Sequence, residues 1–145
     1  MSYAAMHKGI NQYQQIGAAD APFADRHRLI EMLMDGGMDR LAQARGAVIR
    51  GDRPAKIKFI GKAFDIIGGL RGGLDLEKGG DIARNLDELY DYMQRRLVSA
   101  NARDDVTVLD EVSTLLGEIR EAWKEIPKEA RLNPEAAARS VNSET

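Results

Sequence analysis

The sequence predicts an all-α fold: an antiparallel up-down four-helix bundle with an N-terminal amphipathic arm or short helix. Three observations predict it. Apolar residues recur every three or four positions through four long stretches. Glycine, proline and aspartate punctuate the joints between those stretches. No stretch carries the period-two alternation of a half-buried strand. Helices of about 22 to 27 residues, joined by turns of about two to five, make successive helices antiparallel neighbours.

The arm comes first, over residues 1–22. Tyr3, Met6, Ile10 and Tyr13 fall three or four apart, as on one face of a short helix, and Gly17 to Pro22 interrupts the pattern. A helix this short is not stable alone, so the arm docks on something or stays mobile. The bundle domain is expected over residues 23–127. Its first helix should run from about Ala24 to Arg50, with Ile30, Leu33, Leu41, Ala44 and Val48 on one face and Gly51 as the stop. The second begins after Asp52, with Asp52 or Arg53 at the cap. Pro54 falls in its first turn, where the missing N–H costs nothing. Ile57, Ile60, Phe64, Ile67 and Leu74 carry the stripe, and Gly79 or Gly80 should end it. The third helix spans about Asp81 to Ala102, with Ile82, Leu86, Leu89, Tyr90, Met93 and Leu97 on its buried face. Asp104 or Asp105 caps the fourth, which carries Leu109, Val112, Leu115, Leu116, Ile119 and Trp123 and stops near Ile126, before Pro127. The remainder, 128–145, is polar and alanine-rich, the composition of a frayed or disordered tail.

Composition narrows the function classes. A chain of 145 residues fits one domain and buries a real core without disulfides. Cysteine is absent, which excludes a disulfide scaffold, a thiolate metal site and a cysteine nucleophile, and agrees with a cytosolic location. A net charge of −2 gives no electrostatic reason to expect nucleic acid. No apolar run approaches the length of a membrane-spanning helix, so no membrane insertion is expected, and the N-terminus lacks the basic-then-apolar pattern of a secretory signal.

No motif for catalysis, metal or cofactor emerges. A di-iron bundle needs Glu-x-x-His pairs on facing helices. The only histidines, His7 and His27, lack them and are expected to be solvated surface residues. Asp75, Glu77, Gly79 and Gly80 mimic the start of a calcium-binding loop, but the required bidentate glutamate is replaced by Leu86. The acidic residues near Asp81 then read as favourable charges at a helix N-terminus. Gly68-Gly69-Leu70-Arg71-Gly72-Gly73 matches neither a Walker loop nor a dinucleotide fingerprint, and it follows a helix, not a strand. Asp87, Glu88 and Asp91 read as a solvated charged face. Two histidines near the N-terminal end offer no nucleophilic triad.

The glycines of the second helix are not explained by chemistry. Gly61, Gly68, Gly69, Gly72 and Gly73 each cost roughly 1 kcal/mol relative to alanine inside a helix. Gly61, Gly68 and Gly72 share one face, a smooth strip that another backbone can approach closely. Such a strip serves tight packing inside the bundle or the floor of a groove for a partner helix. Phe59, Ile66 and Leu70 add a second apolar flank, more than one bundle face needs. Ile10 and Tyr13 fit a plug for such a groove or an ordinary docked terminus. Tyr90 follows the core stripe, Tyr92 is rotated off it, and Trp123 is spaced for the core.

Several segments together resemble the flagellin-specific export chaperone family, FliS. They are the arm around Ile10 and Tyr13, Leu29 to Gly36, Lys62 to Ile67, Leu74 to Ala83, Asn85 to Met93, Ala100-Asn101 and Ala122-Trp123. The resemblance covers about residues 10 to 127. It departs from the family pattern at Pro22-Phe23-Ala24 and at Met34, where an aromatic is usual; methionine still lines an adaptable apolar surface. The resemblance implies a non-enzymatic cytosolic chaperone without cofactor or metal. Its partner would be the disordered C-terminal segment of flagellin, which it masks against premature polymerisation and keeps competent for flagellar type III secretion. A flagellar export gate component would be a second partner. An alternative within the same groove is an adaptor that holds a flagellar regulatory protein. The residues expected to bind the partner are Ile10 and Tyr13 in the arm, Ile57, Ile60, Phe64, Ile67 and Leu74 in the second helix, and Ile82, Leu86 and Tyr90 in the third. Most of these overlap the core stripe, so some serve structure alone. A ferritin-like metalloenzyme is a third reading, opposed by the missing Glu-x-x-His pairs.

Overall fold

A computed structural model describes residues 23–127; the arm, with Ile10 and Tyr13, and the tail lie outside the described residues. Four helices follow in order: α1 Phe23–Arg50, α2 Arg53–Gly72, α3 Gly80–Arg103 and α4 Val106–Lys124. α1 packs against α2 and α4, and α3 packs against the same two, which closes a four-helix ring. The expected up-down bundle is therefore the observed fold.

The joints explain the alternation. Gly51 takes a left-handed φ of 70°, and two hydrogen bonds end α1: Gly51 N–H to Val48 O and Asp52 N–H to Ala47 O. This is the paired six-to-one and five-to-two pattern of a Schellman stop. Asp52 then caps α2 by accepting from the Ala55 N–H at 3.1 Å, with Pro54 in the first turn. Asp105 caps α4 through the Thr107 N–H at 3.0 Å. The Thr107 hydroxyl, and to a lesser degree that bond, hold the Asp105 carboxyl below its usual range.

The end of α2 corrects the sequence reading. The helix stops at Gly72, not at Gly79 or Gly80, and the connection to α3 runs through Gly73–Gly79, longer than the turns expected. Gly73 and Leu74 donate back to Gly69 O and Arg71 O, which closes the last turn. Asp75 then accepts from the N–H groups of Glu77 and Lys78, an Asx turn that competes with continued helix. Gly80, at φ 55°, supplies the left-handed residue that starts α3.

The core is a single cluster of side chains from all four helices. Met34, Leu41, Ile67, Met93, Leu97, Leu109, Val112 and Leu116 are its largest fully buried hydrophobic members. Gly37 lets α1 pack tightly: a Cβ there would lie 2.9 Å from Leu116 Cδ2 and 3.4 Å from Ile66 Cγ2.

His27 overturns a second expectation. It is buried, not a solvated surface residue. Its ring stacks on Trp123 with centroids 4.6 Å apart and planes 8° from parallel. Nε2 donates to the Trp123 carbonyl at 2.7 Å, and the Trp123 indole N–H donates to the His27 carbonyl at 2.9 Å. These reciprocal bonds clasp the start of α1 to the end of α4. Sequence spacing gave no hint of them, because the partners lie at opposite ends of the chain.

Candidate functional site

The seam between α2 and α3 is pinned by polar links along its length. Arg71 donates to Asp87 at 2.7 Å and to Asp91 at 3.0 Å. The Asp87 hydrogen bond raises the Arg71 pKa above its ordinary value. Asp87 and Asp91 are thus half-buried ion-pair partners, not the solvated face expected of them. Midway, Gln94 donates to the Phe64 carbonyl at 3.3 Å. Near the other end, the buried Lys56 ammonium donates to the Asn101 carbonyl and pairs with Asp104. Asp104 is the sole described non-glycine residue with a positive φ, 53°.

These links set the register of what lies outside them. Gln94, Val98 and Asn101 share the α3 face toward α2, so Val98 falls between the Phe64 and Lys56 levels. On α2 that interval holds Ile57 and Gly61. Val98 is 60% exposed and Ile57 is 51% exposed. A Cβ on Gly61 would meet nothing within 4 Å. Large apolar groups thus stand in solvent beside a glycine that the bundle does not need for packing. Water contact with such groups is a standing cost that a partner removes.

The ten residues singled out from sequence separate by depth. Ile60, Ile67 and Tyr90 are 4%, 0% and 2% exposed and sit in the core. Burial pushes the Tyr90 phenol well above its ordinary pKa. Phe64, Leu74 and Leu86 are half-buried, packed on the core with one side turned out, and Ile82 is half-buried at the start of α3. Of the described residues among the ten, Ile57 alone is exposed. Ile10 and Tyr13 fall outside the described residues. Sequence reasoning missed Val98; the available signal was an apolar residue off the α3 stripe, directly after Leu97. Tyr92 is half-buried and donates to Glu111 at 2.9 Å, so it ties α3 to α4. Trp123 packs on the core as expected.

The chemistry offered is apolar contact. Among the described residues, no group of three or more His, Asp or Glu side chains is placed to hold a metal ion. No described helix is long and apolar enough to cross a membrane.

The family model for the flagellar protein FliS matches residues 9–130. The chain belongs to the FliS family. At the level the family establishes, it is a flagellar export chaperone. The flagellar secretion chaperone FliSB of Pseudomonas aeruginosa is 55% identical over 117 residues, 80% of this chain and 93% of that one. The flagellar secretion chaperone FliS of Salmonella typhimurium is 50% identical over 124 residues, 84% of this chain and 92% of its own. That of Vibrio cholerae is 40% identical over 125 residues, 86% and 92% of the two chains. The family model spans all four described helices.

Proposed function

We propose that this protein is a cytosolic, non-enzymatic export chaperone whose client is the C-terminal segment of flagellin. It binds the segment while it is disordered, prevents premature polymerisation, and keeps the subunit competent for flagellar type III secretion. The observation that supports this reading best is that Ile57 on α2 and Val98 on α3 stand exposed, with the open Gly61 one turn after Ile57. A client that folds as it binds needs apolar purchase over a long path and a floor that its backbone can approach.

In this reading Ile57, Phe64, Leu74, Ile82 and Leu86 contact the client, with Val98 added to them. Ile60, Ile67 and Tyr90 back them from the core. Ile10 and Tyr13 of the N-terminal segment are further client contacts in this reading. The loaded complex then meets a component of the export gate. A flagellar regulatory protein held through the same surface is the competing occupant.

Isothermal titration with full-length flagellin and with flagellin lacking its C-terminal segment tests the reading. Binding to the first and not the second is expected; equal binding to both, or none to either, would sink it. A regulator that binds without competing with flagellin would remove the shared-surface part alone.

A further inference from the structure

We propose that the Asp65 carboxylate accepts backbone N–H groups of the bound client segment, over a floor that includes Gly61 and Gly72. The proposal rests on the flagellin reading and deepens it, by naming a polar anchor on an otherwise apolar surface.

Asp65 stands on the glycine strip. Gly61 precedes it by four residues, and Gly68 and Gly72 follow by three and seven, so the four share one face of α2. Ala63 and Ile67, two residues to either side, lie about 160° round the helix and belong to the core. Asp65 is nevertheless only 5% exposed. Its Oδ2 has no hydrogen-bond partner among the described residues. Burial pushes its carboxyl above the usual range, and the positive charge of the chain's N-terminus offsets part of that shift.

A buried acceptor without a donor destabilises a fold, so its presence calls for a compensating use. The side chain is short. A donor that reaches it must come close to the α2 backbone, and the flanking glycines are the residues that permit this. A long cationic side chain would need no such floor. Backbone N–H groups of an extended segment, or the free ones in the first turn of a nascent helix, do need it. In the second case Asp65 acts as a helix cap supplied by the chaperone.

The test compares the full-length chain with Asp65→Ala and Asp65→Asn, by titration with the isolated C-terminal segment of flagellin and by thermal unfolding. Asparagine caps backbone N–H groups about as well as aspartate does. Asp65→Ala should weaken binding by about three- to thirty-fold, while Asp65→Asn stays within about threefold of wild type. Neither variant should melt below wild type, because each removes a desolvated carboxylate. Equal affinity of wild type and Asp65→Ala overturns the proposal and leaves the flagellin reading standing. An Asp65→Asn loss as large as that of alanine overturns it in favour of a cationic donor. A lowered melting temperature in Asp65→Ala overturns it by showing that the carboxylate already has a partner within the folded chain. If wild type itself fails to bind the segment, the flagellin reading falls and the proposal falls with it.

Discussion

Gly61→Ala separates a docking floor from a packing contact. A glycine inside a helix is less favourable than alanine by about 0.5–1 kcal/mol. At Gly61 an added Cβ meets nothing within 4 Å, so no steric cost offsets that gain. The variant should therefore be more stable, by about 2–8 °C in melting temperature for a domain of this size. The same methyl raises the floor where the client backbone is proposed to approach. A loss of about 1.4 kcal/mol there is tenfold in affinity. Gly37→Ala is the contrast. Its Cβ would lie 2.9 Å from Leu116 Cδ2, and Leu116 is fully buried and has little room to yield. Overpacking of about 1–3 kcal/mol should outweigh the propensity gain and lower the melting temperature. Circular dichroism melts and calorimetric titration read both effects. A Gly61→Ala protein that is less stable than wild type, or that binds the client equally well, would refute the reasoning.

Depth should divide Ile57 from Ile67 on α2. Ile57→Ser, at an exposed position, should change stability by no more than about 0.5 kcal/mol yet weaken client binding, whereas Ile67→Ala should cost about 2–5 kcal/mol of stability in denaturant titration. His27→Ala removes one bond and the stack of the clasp and should cost about 1–2 kcal/mol. Trp123 is the only tryptophan, so its fluorescence should shift with the loss. Glu111 is held below its ordinary pKa of 4.5 by its bond from Arg96 and then by Tyr92. Its stabilising contribution is present above that value and is lost as pH falls through the lowered one. Glu111→Gln should therefore flatten the acid limb of a stability-against-pH curve measured below about pH 4.5.

Helical spacing revealed the bundle because Ile60, Ile67, Leu97, Leu109, Val112 and Leu116 lie where a 3.6-residue period meets a common core. The α2 stop was hidden because Leu74 continues the period while Asp75 and Gly73 break the backbone. The surface was partly legible. Ile57, Ile60, Phe64 and Ile67 occupy one broad apolar arc, and sequence alone does not say which edge of it the neighbouring helix covers. Only the position of α3, fixed by Gln94, Asn101 and the Arg71 pairs, leaves Ile57 out and Ile67 in. The glycine strip showed in sequence as an unexplained cost. The structure adds that Gly61 faces open space and that Asp65 is buried on the same strip.

Removal of residues 1–15 addresses the arm. The truncated chain should keep the helical signal of the bundle, because all four helices contribute to the described core, and should change client affinity. The central claim is tested most directly by calorimetric titration of the intact protein against full-length flagellin and against flagellin without its C-terminal segment. Binding confined to the full-length protein is the predicted result. Equal heats with both, or no binding to either, would contradict it.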